Sequence, residues 1–109
     1  MKRFYKIQLD IEDTVEELDM FGLEVACDVI MHVIGEYDEI QVGDPVITCV
    51  HVGDEGETIT EKNPLVMQWI RETLAVPVQE WFRTDNRRIE ENARDALIET
   101  QEAAKEREY

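Results

Sequence analysis

Between Ile7 and Glu61 the chain carries 16 aspartates and glutamates and not one lysine or arginine. From residue 62 to 109 it carries 10 acids and 8 of the 11 bases, so almost all of the formal charge of -15 resides in the first half. Whatever the chain folds into must therefore present two chemically different surfaces. An acidic half repels nucleic acid and anionic lipid and attracts a basic protein surface. Uniform adaptation to salt would acidify the whole surface, and this pattern does not. Solubility alone is the competing explanation, because net charge by itself specifies neither fold nor role.

A chain of 109 residues that is 43% apolar fits a single α+β domain, 1–109, rather than a disordered acidic tail. Such a chain buries roughly 65% of its unfolded surface, enough for one ordinary core. No run approaches ~18 uninterrupted apolar residues, so no spanning helix is expected. The basic start, Lys2, Arg3 and Lys6, leads into Gln8, Asp10, Glu12 and Asp13 instead of an apolar signal core, which points to the cytoplasm. Cys27 and Cys49 are too few for a disulfide scaffold and read as free thiols.

Residues 3–11 alternate, with Tyr5, Ile7, Leu9 and Ile11 on one side, and predict a half-buried strand. Thr14 followed by Glu17 has the form of a capping box, and Gly35 stands where a left-handed helix terminus would fall. Between them Glu17, Glu24, Asp28 and His32 share one narrow arc of a helical wheel, and most other positions are apolar. Residues 14–34 are thus predicted as one central, mostly buried helix. A rival pattern exists: Leu23, Val25, Cys27, Val29, Met31 and Val33 also alternate strictly, which would make 23–34 a strand after a short helix.

Residues 39–61 read as β structure. Ile40 and Val42 precede a Gly43-Asp44-Pro45 turn, and Val46–Val52 is rich in β-branched residues. Gly53-Asp54-Glu55-Gly56 turns the chain back into Glu57–Glu61. Asn63-Pro64 predicts a helix start, with Leu65, Val66, Trp69, Ile70 and Leu74 as its apolar face and Trp69 in the core. Pro77 is expected to break or kink this helix near Val76 and begin a second one. In that second helix Phe82, Ile89, Ala96 and Ala103 recur every seven residues. The mixed-charge half, 62–109, is therefore read as a C-terminal pair of helices beside a small antiparallel sheet.

Positive signatures of chemistry are few. Cys27 and His32 diverge on either a helix or a strand, whereas Cys49 and His51 share a strand face, which is half a metal site at most. No metal and no cofactor are expected on that basis. The chain contains no serine, so serine catalysis is excluded, and there is no phosphate-binding glycine loop or paired-histidine zinc motif. Arg83, Arg87, Arg88 and Arg94 are interspersed with acids and read as a solvated helix face, not a nucleic-acid patch.

The chain reads as a non-enzymatic interaction protein with no direct nucleic-acid or membrane binding. Its expected partner-binding face is acidic: Glu16, Glu17, Glu24, Asp28, Glu36, Asp38, Glu39, Asp54, Glu55 and Glu57. Carboxylates on a rigid surface accept hydrogen bonds from Arg and Lys as phosphates do, so such a face suits the basic groove of a nuclease. In size and charge the chain is similar to small acidic proteins that phages use against restriction or CRISPR nucleases, a likeness of composition that covers no motif. The alternative is a structural or assembly subunit, most simply a homodimer joined through the apolar 14–34 segment, with acidity serving solubility.

Overall fold

A computed structural model of the chain describes residues 4–37, 39–53, 57–60, 62 and 64–107. Five strands, β1 (Phe4–Met20), β2 (Leu23–Tyr37), β3 (Glu39–Val42), β4 (Val46–Val52) and β5 (Glu57–Thr60), precede two helices, α1 (Pro64–Thr84) and α2 (Asn86–Arg107). The α+β class is present, but the central helix is not. Residues 14–34 lie in the two arms of a long antiparallel hairpin, β1–β2.

Two local devices explain the difference. Phe21 and Gly22 both have positive φ, 53° and 80°, so two residues reverse the chain between Met20 and Leu23. This is the backbone of a tight hairpin turn that normally uses Asn-Gly or Asp-Gly, and a phenylalanine gives no such signal. In β1, Val15 pairs with Cys27 and Leu18 with Val25, so Glu16 and Glu17 together oppose Ala26 in a β-bulge, with Glu17 at φ 59°. The extra residue puts Val15 and Leu18 on the same face three positions apart, a spacing that imitates a helix. The Thr14–Glu17 pair is therefore part of a strand and its bulge, not a cap.

β2 is the centre of the sheet. β1 runs along one edge, and β4 and β3 share the other, β4 pairing with Val25–Ile30 and β3 with Val33–Glu36. β5 extends the sheet beyond β4. Strict alternation sends Val25, Cys27, Val29, Met31 and Val33 to one face, each at most 2% exposed. Both helices cover that face. Met67, Ile70, Leu74 and Val78 of α1 pack with Val15, Leu18, Met20, Val25 and Val29, while Ala93 and Leu97 of α2 pack with Val33.

The helical half also departs from expectation in detail. Pro64 does open α1, whereas Asn63 lies outside the described residues. Pro77 sits inside α1 without ending it. The break falls at Asp85, whose amide still donates to the Trp81 carbonyl (2.9 Å) while its own carbonyl accepts from Ile89 (3.0 Å), passing one helix into the next. The apolar stripe of α1 is Met67, Ile70, Leu74 and Val78; Leu65, Val66 and Trp69 face outward. Trp69 is 49% exposed and stacks on the turn residue Phe21, ring centroids 5.3 Å apart. In α2 the seam is Ile89, Ala93 and Leu97, spaced by four, because a single straight helix follows its own 3.6-residue period.

Gly35 ends no helix. It lies buried in β2, where a Cβ would stand 2.7 Å from Leu97 Cδ1, so its bare backbone forms the seat for that leucine. Replacing Leu97 with alanine should cost about 2–5 kcal/mol, and Gly35→Ala about 1–3 kcal/mol through overpacking. Urea denaturation of both single variants and the double variant should show a double loss smaller than the sum by about 1 kcal/mol or more. Strict additivity would mean the two residues do not share that space.

Candidate functional site

The sheet face away from the helices is open, and cross-strand pairing defines what it carries, since directly opposed residues point the same way. Asp10 opposes His32, Glu12 opposes Ile30, Thr14 opposes Asp28, and Asp19 opposes Glu24. Asp28 in turn opposes Cys49, Ala26 opposes His51, His51 opposes Thr58, and Glu36 opposes Glu39. Among the described residues this face therefore displays Asp10, Glu12, Asp19, Glu24, Asp28, Glu36 and Glu39. Lys6 is at its far end, while Arg83, Arg87, Arg88 and Arg94 all belong to the helices on the other side.

The expected acidic residues fall into distinct places. Glu16, Glu17 and Glu24 line one open cleft of about 280 Å³ together with Val25, Ala26, His51 and Gly53. The bulge creates this arrangement by setting two consecutive glutamates against the small Ala26. Asp28 stands at the centre of the face, at the border of a second hollow formed with Glu12, Asp13 and Thr14. Glu36 and Glu39 sit together at the opposite end of β2, twelve residues from Glu24, or roughly 40 Å of extended strand. Glu57 pairs with Val52 in β5. Asp38, Asp54 and Glu55 lie outside the described residues. Asp13 points to the helix side, where Arg88 Nη2 donates to its Oδ2 at 3.0 Å and to Asp85 Oδ2 at 3.1 Å.

The most organised polar contacts surround Asp28. The Thr14 hydroxyl donates to Asp28 Oδ1 at 3.0 Å, and His51 Nε2 lies 3.1 Å from Asp28 Oδ2. Cys49 Sγ lies 3.7 Å from the same Nε2, and the other ring nitrogen, Nδ1, is 3.2 Å from Thr58 Oγ1. Among the described residues Asp28, Cys49 and His51 are the one trio of potential metal-binding side chains whose donor atoms converge, all within 4.8 Å. A few residues away, His32 Nδ1 and Asp10 Oδ1 make a simpler pair at 2.8 Å. Cys27 faces the core, so it shares no site with His32 or Cys49.

Sequence reasoning recognised that Cys49 and His51 share a face but counted only Cys and His as partners. The third member, Asp28, comes from the neighbouring strand, and its pairing with Cys49 depends on a register the sequence does not display. The trio is not a nucleophile triad. In a triad the two imidazole nitrogens point separately to nucleophile and acid; here one nitrogen faces both, and the other goes to a threonine. Burial and the Asp28 charge also push the Cys49 thiol upward, away from the thiolate.

No family model matches the chain, and neither a curated protein nor a solved structure matches it. Among the described residues no helix is long and apolar enough to cross a membrane.

The Cys27 thiol, on the core side of the same strand, is pushed up from 9.0 to about 11, first by burial, then by the Asp28 charge and by Cys49. Its folded value lies above its unfolded one. The stability it contributes is therefore intact below pH ~9 and is lost as pH rises through ~11. The stability difference between wild type and Cys27→Ala should shrink by about 2 kcal/mol between pH 8 and 11, as read by denaturation across that range. A constant difference would contradict the buried neutral thiol.

Proposed function

We propose that the protein is a non-enzymatic interaction protein whose acidic open sheet face occupies a basic groove of a nuclease or another nucleic-acid-binding protein. The observation that carries this reading is the separation of charge across the sheet. Seven carboxylates from Asp10 to Glu39 share the face that no helix covers, and the arginines of α1 and α2 lie behind it. A rigid sheet holds these acids in fixed positions, so little ordering entropy is lost on docking. Exposed carboxylates meeting Arg and Lys also steer encounter at a rate that salt suppresses. An inhibitor of a restriction or CRISPR nuclease is the form of this function that the charge suits best.

A second reading, an assembly subunit that pairs with its own copy, draws on a different surface. The apolar residues that suggested it from sequence are mostly absorbed by the sheet core, but Phe21, Leu23, Leu65 and Trp69 remain 73%, 54%, 82% and 49% exposed around the β1–β2 turn.

The acidic-face reading is tested by displacement of a labelled duplex from a purified restriction endonuclease and from a guide-loaded CRISPR nuclease. The expected result is displacement that weakens with salt. The variant E12Q/E24Q/E36Q/E39Q on the open face should weaken it at least about tenfold. The variant E72Q/E80Q/E90Q/E99Q, with the same change of charge on the helices, should retain it. Equal losses in the two variants, or no displacement from either enzyme, would remove the face as the binding element and leave solubility as the explanation of its charge.

A further inference from the structure

We infer that Asp28, Cys49 and His51 form a binding site for a transition-metal ion of the zinc class, independent of any docking by the acidic face. Bonds of about 2.0–2.3 Å to a tetrahedral metal place neighbouring donor atoms roughly 3.3–3.6 Å apart. His51 Nε2 is 3.1 Å from Asp28 Oδ2 and 3.7 Å from Cys49 Sγ, and all three donor atoms lie within 4.8 Å of one another. Two edges of the donor triangle thus lie within about 0.2 Å of tetrahedral dimensions, and rotation of these partly exposed side chains would close the third.

The surrounding hydrogen bonds fit the same assignment. Metal-binding histidines and carboxylates are held from behind by outer partners, which fix the tautomer and aim the free atom. Thr58 Oγ1 stands 3.2 Å from His51 Nδ1, where it can accept the Nδ1 proton and leave Nε2 as a lone-pair donor. The Thr14 hydroxyl occupies Asp28 Oδ1 and leaves Oδ2 facing the imidazole. One threonine thus stands behind each of two ligands, on the side away from the point of convergence.

Sulfur, imidazole and carboxylate together favour a borderline ion such as Zn²⁺ over Mg²⁺ or Ca²⁺, which prefer all-oxygen shells. Three protein ligands leave one tetrahedral position for water, and the site is open to supply it: the His51 and Asp28 side chains are 39% and 40% exposed. Glu16, Glu17 and Glu24 line the cleft beside His51 and raise the local concentration of divalent cations. The trio lies on the face opposite the core, so the ion would add to a fold that the core and helices already hold.

Cobalt(II) is the probe, added to the full chain under a phosphine reductant, because tetrahedral Co²⁺ has intense visible bands and a thiolate–cobalt charge-transfer band. The expected result is a 1:1 spectrum with both features, bleached by stoichiometric Zn²⁺. C49S should abolish the charge-transfer band. D28N and H51Q should weaken binding at least tenfold, and T14A and T58A about 10–100-fold. C27S and H32Q should leave it unchanged. In the unaltered protein, a Zn²⁺ titration followed by NMR should shift the ring resonances of His51 and spare those of His32, a readout that needs no variant to fold. No tetrahedral spectrum at equimolar cobalt, a charge-transfer band that survives C49S, or a zinc response at His32 rather than His51 would overturn the assignment and reduce the trio to an Asp–His hydrogen bond beside a thiol.

Discussion

The structure depends on the one-sided burial of β2. Val25, Cys27, Val29, Met31 and Val33 project to the same face and are each 2% exposed or less, and each of the valines and the methionine is worth roughly 1.5–3 kcal/mol when buried. A strand with this pattern needs neighbours for its backbone on both edges and a lid on one side. β1 fills one edge, β4 and β3 divide the other, and the two helices supply the lid. The opposite face is then released from packing. It can carry carboxylates, imidazoles and hydroxyls that a core would not accept unpaired, with the Cys49 thiol beside them, while Ile30 and Ile34 remain half-buried among them.

That division also explains where the charge goes. Among the described residues the long acid-only stretch is the sheet and its connections, and the alternation that buries one side chain exposes the next. The arginines of the last half sit on helices packed behind the sheet, so the charge imbalance along the chain becomes an imbalance across a layer. Asp13 is the instructive exception: it falls on the helix side and meets Arg88. The bulge at Glu16–Glu17 is the other departure. It costs a non-glycine residue at φ 59°, and it sets two carboxylates beside the Asp28–His51 contact.

Much of this was legible in the sequence, and the failures have local causes. β-branched density and turn residues located β4 and β5, and Pro64 marked the start of α1. The alternation of Leu23 to Val33 was visible, but Thr14 and Glu17 at the bulge had the form of a capping box, Glu17, Glu24, Asp28 and His32 shared a helical arc, and the turn at Phe21-Gly22 lacks the usual residues. Trp69 looked like core because it falls in an apolar stripe with Leu65, Val66, Ile70 and Leu74; it stacks on Phe21 at the surface instead. Pro77 failed to break α1 because the buried stripe from Met67 to Val78 continues through it. For the polar centre, Cys49 and His51 could be paired by their spacing. Asp28 and Thr14 could not, since strand register and the position of a bulge are tertiary information.

The most direct test of this account is the backbone conformation of residues 14–34 in solution, read by NMR. The account requires strand-type Cα shifts through Asp13–Val15 and Leu23–Val33, and cross-strand NOEs linking Asp10 to His32 and Asp28 to Cys49. It also requires the slowest amide exchange in β2. Helical shifts and i,i+3 NOEs running from Thr14 to Ile34 would contradict it, and the open face with all its side-chain groupings would fall with the hairpin.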